Sequence, residues 1–466
     1  MMLSLSRPAT PFGRAARTLA TLSFGLAMVF AAALQAAARN VPIVRDAEIE
    51  ALVRDYAKPI FKAAGLSNAG IRIVLVNDPS FNAFVAGRRL FINTGALMQA
   101  ETPNEIIGVI AHECGHIAGG HQQKLRDQLE RSKTMAIVAT LLGAGAIAAG
   151  AASHSRGLAG AGMGLATGGG ELAQRSLMHY QRGEEMTADR SAIIYLNATG
   201  QSGKGMLDTF ERFQSALSLS GAQIDPYRIS HPMPRERISN LQALVKKSPY
   251  YNKTDSASLQ QRHDMMRVKI AAFTDGQGAV SRLTRKQLDP LALKYSSALM
   301  AYLYGDPRSA LTKTESLIKT QPKNPYFREL RGDILMKVNR PKDAAGAYAK
   351  AVNLDPAGSG LLPVSYGQAL LAVGTPSYVK KAIAQISKGL RRDRENVAGY
   401  RYLAQAYGEL GDVADAELAT AEGHYYAGAY KDAKIFAMRA QQRMKRGTPG
   451  WVRAQDIINT RQIGRE

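Results

Sequence analysis

The chain has 466 residues, of which 45% are hydrophobic and 21% charged, the composition of a folded soluble protein. It is too long for one ordinary hydrophobic core, so we expect two or three domains. The formal charge of +22 favours acidic partners. However, the basic residues are dispersed and no aromatic-plus-basic motif is visible, so we expect no nucleic-acid partner. The single cysteine, Cys114, excludes an intrachain disulfide.

The first 38 residues have the pattern of a secretory signal. Arginines precede an apolar run from Leu19 to Leu34, and the small residues 36–38 follow before Arg39. A transmembrane anchor is the alternative, but the run is short and ends in small residues instead of a basic stop signal. We therefore predict a signal peptide over residues 1–38 and an exported protein in a bacterial periplasm.

Residues 46–95 predict one helix followed by a small sheet. Helical periodicity runs from Asp46 to Ala64. The apolar segment Ile71–Val76 predicts a strand, and Asn82–Val85 and Arg89–Ile92 predict two more around Gly87. We expect a small antiparallel sheet that contains a hairpin.

The motif His112-Glu113-Cys114-Gly115-His116 lies in an apolar helix that begins near residue 103. Histidines four residues apart share one helix face, so both imidazoles can reach one tetrahedral metal ion. Glu113 projects beside the first histidine, where it can take a proton from a water on that ion. The pattern predicts His112 and His116 as metal ligands and Glu113 as a general base. Cys114 points away from them and is expected to be a small buried residue.

Residues 135–152 form a second apolar run, followed by the glycine-rich segment 157–170. The run is at the lower limit for a membrane span, and a firm span would carry more Leu, Ile and Phe. We predict that residues 135–170 form a hydrophobic lid or hairpin, which packs over the catalytic domain or touches a membrane surface. A true span is the alternative.

An acidic helix is predicted over residues 183–196. Glu185 and Asp189 are four residues apart and share a face. Glu185 can supply a third metal ligand, and Asp189 can accept a hydrogen bond from the free N–H of a ligating histidine. Glu184 points about 100° away around the helix, so only one of the two glutamates can coordinate. A solvated acidic face is the alternative interpretation.

The segment 227–237 leads into another helix and contains His231 and Arg237. These two side chains can present donors to one spot, where they could stabilise an oxyanion. Taken alone, they fit better with an ordinary helix N-terminus that carries two prolines and a solvent-exposed arginine.

Residues 251–289 are polar, with a helix around 263–273, and we interpret them as a linker. From residue 290 to 466, helix pairs recur with a period of 34, as shown by Pro322 and Pro356. This period predicts a solenoid of roughly four tetratricopeptide-type helix pairs, which stack because no pair buries its own apolar face. The residues at the small and aromatic positions of one repeat are Gly332, Ala344, Tyr348 and Ala351.

The segments HECGH, EMTAD and HPMPRER occur in this order, behind a signal peptide and before the repeats. Together they resemble the BepA-type periplasmic zinc metallopeptidases, whose catalytic domain is shared with HtpX and the CAAX prenyl proteases. The resemblance covers nearly all of the mature chain. It implies an α+β zincin-like domain over residues 39–250, mostly helical with a small antiparallel sheet, followed by an all-α tetratricopeptide-repeat solenoid.

The resemblance also implies one zinc ion per chain, with the ligands His112, His116 and Glu185. It makes Glu113 the general base and Asp189 the partner of a ligand. His231 and Arg237 match the family's His-Pro…Arg element near the active site, and Asn82 and Ala83 match an edge strand that borders the cleft. The family often has Glu or Gln at the positions of Met186 and Thr187, a departure that leaves the ligand undisturbed.

These features predict a zinc endopeptidase that degrades misfolded or misassembled periplasmic and outer-membrane proteins. The substrate would lie extended along residues 82–85. The repeats would recruit unfolded clients or, by resemblance, the outer-membrane protein assembly complex, and residues 135–170 could add a peripheral membrane contact. The alternative is a chaperone or adaptor whose peptidase is latched because His231 fills the open metal position.

Overall fold

The computed structural model describes residues 42–152, 156–219, 231 and 235–460. The predicted signal peptide lies outside these residues. The N-terminal part combines a small sheet with a set of helices. In chain order its elements are β1 (Ile43–Val44), α1 (Ala47–Ala63), β2 (Arg72–Val76), β3 (Ala83–Ala86), β4 (Arg89–Asn93), α2 (Thr94–Gln99), α3 (Pro103–Ala118), α4 (His121–Ala152), α5 (Arg156–Ala198), α6 (Lys204–Leu219) and α7 (Arg235–Lys246).

The sheet has four strands in the order β1-β2-β4-β3 and is mixed. Strands β3 and β4 form the predicted antiparallel hairpin, and β1 is antiparallel to β2, but β4 runs parallel to β2. The prediction of an antiparallel sheet is therefore wrong for the pairing of β2 with β4. The chain reverses before β3 and again after it, so β4 runs in the direction of β2. Because β4 pairs with β2, strand β3 lies at an edge of the sheet.

Helix α3, which carries the HECGH motif, is the centre of this part. A capping box between Thr102 and Glu105 fixes its start, and Pro103 occupies the first turn. Its residues 103–115 are all buried, because α1, α5, α6 and β3 pack around it. Burial on all sides explains why the helix is apolar on nearly every face.

Helices α4 and α5 pack along each other as a long helical hairpin. The apolar run 135–152 lies in α4, and several of its large side chains are exposed, including Leu141 at 67% and Leu142 at 63%. Among the described residues, no helix combines the length and apolarity needed to cross a membrane.

The segment expected as a polar linker is instead packed. It contains helix α8 (Ala257–Ile270), a π-helical turn (Ala271–Asp275) and helix α9 (Gly276–Thr284). Met266 of α8 lies in the core built around α3, whereas Val268 lies in the first core of the repeats. Helix α8 also carries Lys269, whose Nζ is 3.1 Å from Glu48 Oε2 in α1. This segment therefore joins the two parts through shared packing, while the predicted domain boundaries stay a prediction.

The C-terminal part is a succession of helices. They are α10 (Pro290–Tyr304), α11 (Pro307–Thr320), α12 (Pro325–Lys337), α13 (Pro341–Leu354), α14 (Leu361–Val373), α15 (Pro376–Arg392), α16 (Val397–Glu409), α17 (Val413–Tyr426), α18 (Tyr430–Arg443) and α19 (Pro449–Asn459). Consecutive helices pack as five pairs within the described residues, against the four expected.

The packing of α12 against α13 fits the tetratricopeptide pattern. A Cβ atom on Gly332 would lie 2.7 Å from the ring of Tyr348, so only glycine lets the two helices approach this closely. Ala344, Tyr348 and Ala351 are buried on the facing side of α13. The small and aromatic residues placed by the 34-residue period therefore meet in the structure, as tetratricopeptide-like repeats require.

Candidate metal centre

Four side chains from three segments converge at one point. They are His112 and His116 of α3, Glu185 of α5, and His231. His112 Nε2 is 3.1 Å from His116 Nε2 and 3.3 Å from His231 Nδ1. Glu185 lies 3.4 Å from Nε2 of each α3 histidine and 3.1 Å from His231 Nδ1. The structure thus brings together the three predicted ligands, with His231 as a fourth donor.

The donor set fits a zinc ion in geometry and in chemistry. Ligand atoms about 2.0–2.1 Å from a tetrahedral zinc lie roughly 3.3 Å from one another. The distances from His112 to the other two histidines, and from Glu185 to all three, are 3.1–3.4 Å, and all four ligand atoms lie within 4.8 Å of one another, which is close to such a tetrahedron. Imidazole nitrogens with one carboxylate oxygen are ligands that zinc accepts. A divalent cation would also separate polar atoms that are otherwise crowded together.

Gly115 allows the acidic helix to reach the histidines. A Cβ atom at this position would lie 2.9 Å from the Cα and the carbonyl oxygen of Ala188 in α5. The absence of a side chain lets the two helix backbones touch at Ala188, three residues after Glu185 and one before Asp189. Any larger residue would push α5 outward and withdraw both carboxylates from α3. The glycine within the motif therefore sets the spacing of the centre.

Asp189 connects a histidine to a buried arginine. Its Oδ1 is 3.0 Å from His112 Nδ1, on the side of the ring that faces away from the other donors. The same carboxylate accepts two hydrogen bonds from Arg237, at 2.6 and 2.8 Å. Arg237 also pairs with Glu185 at 2.8 Å, is only 2% exposed, and lies over the ring of Phe210. Arg237 thus holds both carboxylates of α5 in place, a contact that the sequence did not indicate.

A second chain of polar contacts leads from His116 through His121 to Glu184, and the sequence analysis did not predict it. His121 Nδ1 is 2.9 Å from His116 Nδ1, and His121 Nε2 is 2.7 Å from Glu184 Oε2. If His116 uses Nε2 as a ligand atom, its Nδ1–H donates to His121, and His121 in turn donates to Glu184. Glu184 does point away from Glu185, as expected, but towards a residue that serves the same centre. The sequence feature that could have indicated this contact is a further histidine, His121, five residues after His116.

Glu113 lies beside this donor set and is 1% exposed. Its Oε1 is 3.4 Å from His231 Nε2. The ring of His231 therefore lies between the other three donors and the Glu113 carboxylate. Burial raises the pKa of the Glu113 carboxyl, an effect that nearby His231 and His112 oppose. Cys114, on the opposite face of α3, is fully buried among apolar residues, and burial raises the pKa of its thiol.

The carboxylates of Glu185 and Asp189 are ionised before any cation binds, and their charges are balanced by His112 and Arg237. Burial would raise the pKa of Glu185, but hydrogen bonds from His112 and His231 outweigh it and hold this pKa below its usual range. Burial likewise opposes ionisation of Asp189, whose pKa is nevertheless lowered by Arg237. For His112, hydrogen bonds to these two carboxylates outweigh burial and raise its pKa to about 9. Two ionised carboxylates in a buried site provide an environment that attracts a cation.

Strand β3 borders this region, and among the described residues no further strand pairs with its outer edge. Ala83 is fully buried against the core around α3, and the carbonyl oxygen of Asn82 accepts a hydrogen bond from the Asn93 N–H at 2.9 Å. Asn82 and Ala83 therefore lie at the start of the edge strand, as the sequence predicted for their position.

Residues 43–245 match the sequence profile of peptidase family M48. They form a peptidase M48 domain. Every residue of the centre lies within this range, and proteins of the M48 family bind a metal, usually zinc. The match also covers the edge strand and the helical hairpin, so the M48 domain includes all the elements that surround the donors.

Similarity to other proteins extends beyond the M48 domain. The chain is 22% identical over 420 residues to the beta-barrel assembly-enhancing protease of Escherichia coli (strain K12), covering 88% of this chain and 82% of the relative. It is 24% identical over 423 residues to the protein of that name from Yersinia pestis, with the same coverage. The chain is thus a homologue of these proteases. Among solved structures, the crystal structure of MamA aligns with 37% of this chain and 92% of the MamA chain. The sequence identity is 18% and the TM-score is 0.27.

Proposed function

We propose that this protein is a zinc-dependent endopeptidase of the periplasm that cleaves misfolded or misassembled periplasmic and outer-membrane proteins. One observation supports this proposal above the others: four zinc-compatible donors within 4.8 Å of one another, with a buried glutamate beside them, in an M48 domain. A zinc ion held by His112, His116 and Glu185 would supply Lewis acidity towards water and towards a peptide carbonyl.

The residues of the chain would handle the proton. Glu113 would take a proton from water and return it to the leaving amine. Its burial, which raises the pKa of its carboxyl, brings that pKa closer to a neutral working pH and suits a group that must both accept and release a proton. Asp189 and His121 would fix the two histidine rings through their Nδ1 atoms, and Arg237 would fix Glu185 and Asp189.

His231 supports the latched form of this enzyme. A catalytic zinc needs one position open for water. In the structure, Nδ1 of His231 occupies the fourth corner of the donor set, and its Nε2 lies 3.4 Å from Glu113. We infer that this arrangement is a resting state in which one side chain blocks both the water position and the base. The same geometry favours the second candidate function, a chaperone or adaptor whose peptidase stays latched.

An extended, unfolded polypeptide is the substrate that suits the open edge of β3. Backbone hydrogen bonds to a strand edge tolerate most sequences, because every residue offers the same donor and acceptor. The repeats would recruit clients or the outer-membrane assembly machinery, in keeping with the name of the homologous beta-barrel assembly-enhancing proteases.

We also propose a peripheral membrane contact through the helical hairpin. The exposed apolar side chains of α4 lie close to the exposed basic residues Arg131 and Lys133, a combination suited to an anionic lipid surface. Such a protein is released from membranes by high salt. Retention through alkaline extraction would contradict this attachment.

The test of the proposed function compares the mature protein with its Glu113→Gln variant. Wild type should hold one zinc per chain and cleave casein. The variant should hold the same zinc and lose cleavage, because glutamine cannot accept the proton. Glu211→Gln, on the exposed surface of α6, is the matched control and should behave as wild type. Cleavage by Glu113→Gln at the wild-type rate would reject Glu113 as the base, and a zinc-free, inactive wild type would reject the function.

A further inference from the structure

Gln122, the second residue of α4, contacts the open edge of β3 with both ends of its side-chain amide. Its Nε2 donates a hydrogen bond to the carbonyl oxygen of Val85. Its Oε1 accepts one from the N–H of Gly87, at 3.1 Å. A single side chain thus satisfies two backbone groups two residues apart, one in β3 and one in the turn that follows it.

The register of the sheet shows that Val85 presents this oxygen to the open edge. Polar groups in an antiparallel pair alternate between facing the partner strand and facing away. Asn82 faces β4, because its carbonyl oxygen accepts a hydrogen bond from Asn93. Phe84, two residues later and opposite Phe91, faces β4 as well. The residues between them turn their polar groups outward.

The outward groups of β3 are therefore those of Ala83 and Val85, followed by the N–H of Gly87 at the turn. In a parallel strand pair, one residue donates to a carbonyl and accepts from the N–H two residues further along. The Gln122 amide makes this same pair of bonds. It occupies the place of one residue of an added strand and leaves Ala83 and the N–H of Val85 as the part of the edge that it does not cover.

The covered end of the strand lies close to the metal centre. His121, which immediately precedes Gln122, has its ring 2.9 Å from the ring of the ligand residue His116. The turn at Gly120, with φ of +65°, brings the chain back so that His121 faces the centre while Gln122 faces the strand. A peptide lying along β3 would meet Gln122 beside the reacting groups.

We propose that Gln122 is a specificity-determining residue that caps the edge of β3 and fixes the register of the bound polypeptide. This inference rests on the proposed function, since its ligand is an extended, unfolded substrate. The side chain excludes such a peptide from the two bonding groups at Val85 and Gly87. The peptide can therefore pair only with residues 82–85. This fixes its register, and so limits which peptide bonds can reach the metal centre.

The test measures binding apart from cleavage. Gln122→Ala would be placed in the Glu113→Gln protein, and the affinity for fluorescein-labelled, unfolded casein would be measured by anisotropy. Gln123→Ala is the matched control, because Gln123 is exposed and its Nε2 donates instead to Asp127. Two more available backbone bonds should tighten binding by about 5-fold or more in Gln122→Ala. Gln123→Ala should leave the affinity unchanged.

Two further readouts separate the cap from the proposed function. Hydrogen exchange at the Gly87 amide should be faster in Gln122→Ala, whether or not the protein is a peptidase. With Glu113 restored, Gln122→Ala should cut casein at additional bonds, identified by mass spectrometry. Equal affinities and identical products for the two glutamine variants would overturn the cap, even if wild type is an active protease. If wild type and His231→Ala are both inactive, but Gln122→Ala still binds casein more tightly, the protease is overturned and the cap is retained. No binding by any variant would overturn both.

Discussion

Replacing Asp189 by asparagine removes the negative charge that contacts both His112 and Arg237, while the size of the side chain is kept. The carboxylate lies 3.0 Å from His112 Nδ1 and pairs with Arg237 at 2.6 and 2.8 Å. Loss of a ligand's buried partner weakens metal binding by roughly 10–100-fold, or about 1.4–2.7 kcal/mol. We expect Asp189→Asn to bind zinc that much more weakly but still to bind it, because the three proposed ligands remain.

A separate effect is expected on the metal-free protein. Arg237 is only 2% exposed and would keep Glu185, at 2.8 Å, as its charged partner. Breaking a buried ion pair costs about 3–5 kcal/mol. Since one carboxylate is left, we expect a loss near the lower limit, about 3 kcal/mol.

Two assays address the two effects of this substitution. Competition with a chromogenic chelator measures the zinc affinity, and urea unfolding of the metal-free protein measures its stability. Asp208→Asn, on the exposed face of α6, is the control for the change of Asp to Asn. If Asp189→Asn matches this control in both assays, the carboxylate neither orients His112 nor compensates Arg237, and the reasoning from the contacts is refuted.

Three further predictions concern single side chains. Glu185→Gln should lose most of the bound zinc, whereas Glu184→Gln should weaken binding by about 10-fold or more without abolishing it; the reverse order in a zinc titration would reassign the ligand. His231→Ala should raise casein cleavage if His231 is a latch, whereas a fall of about 10²-fold or more would make it an oxyanion donor. The third concerns His263, which is buried between the Tyr56 hydroxyl and the Ala100 carbonyl, both at 3.0 Å. Burial lowers its pKa from 6.5 to about 3, so the folded protein keeps it neutral while the unfolded chain takes up a proton. The contribution of His263 to the free energy of unfolding should therefore be fully present above pH 6.5. It should fall on acidification, by about 2 kcal/mol at pH 5. Urea unfolding at pH 7 and pH 5 should show a smaller decline in His263→Gln, and equal declines would contradict this origin.

The sequence predicted those parts of the centre that depend on spacing within one helix. His112 and His116 share a face because they are four residues apart, and so do Glu185 and Asp189. His121 was missed because its contact with His116 depends on the turn between α3 and α4, where Gly120 adopts a positive φ. Helix periodicity carries no information about such a turn.

The predictions of an antiparallel sheet and of a polar linker were wrong for a related reason. The apolar patterns predicted β2, β3 and β4 but not the two-residue strand β1, and the parallel pairing of β2 with β4 depends on which strand lies beside which. In the linker, polarity was taken as a sign of exposure. Lys269 is in fact buried, because Glu48 and Asp46 compensate its charge at 3.1 and 2.7 Å. Compensation by partners distant in the chain cannot be read from local composition.

The two proposals place restraints on different requirements of proteolysis. His231 lies beside the donor set and Glu113, where it would oppose the chemical step. Gln122 lies on the edge of β3, where it would oppose binding of a longer strand. A strand edge accepts almost any unfolded sequence, and selectivity cannot then come from side-chain pockets alone. Restraint through the register of the bound strand and through access to the metal would let such a tolerant site spare proteins that fold in time.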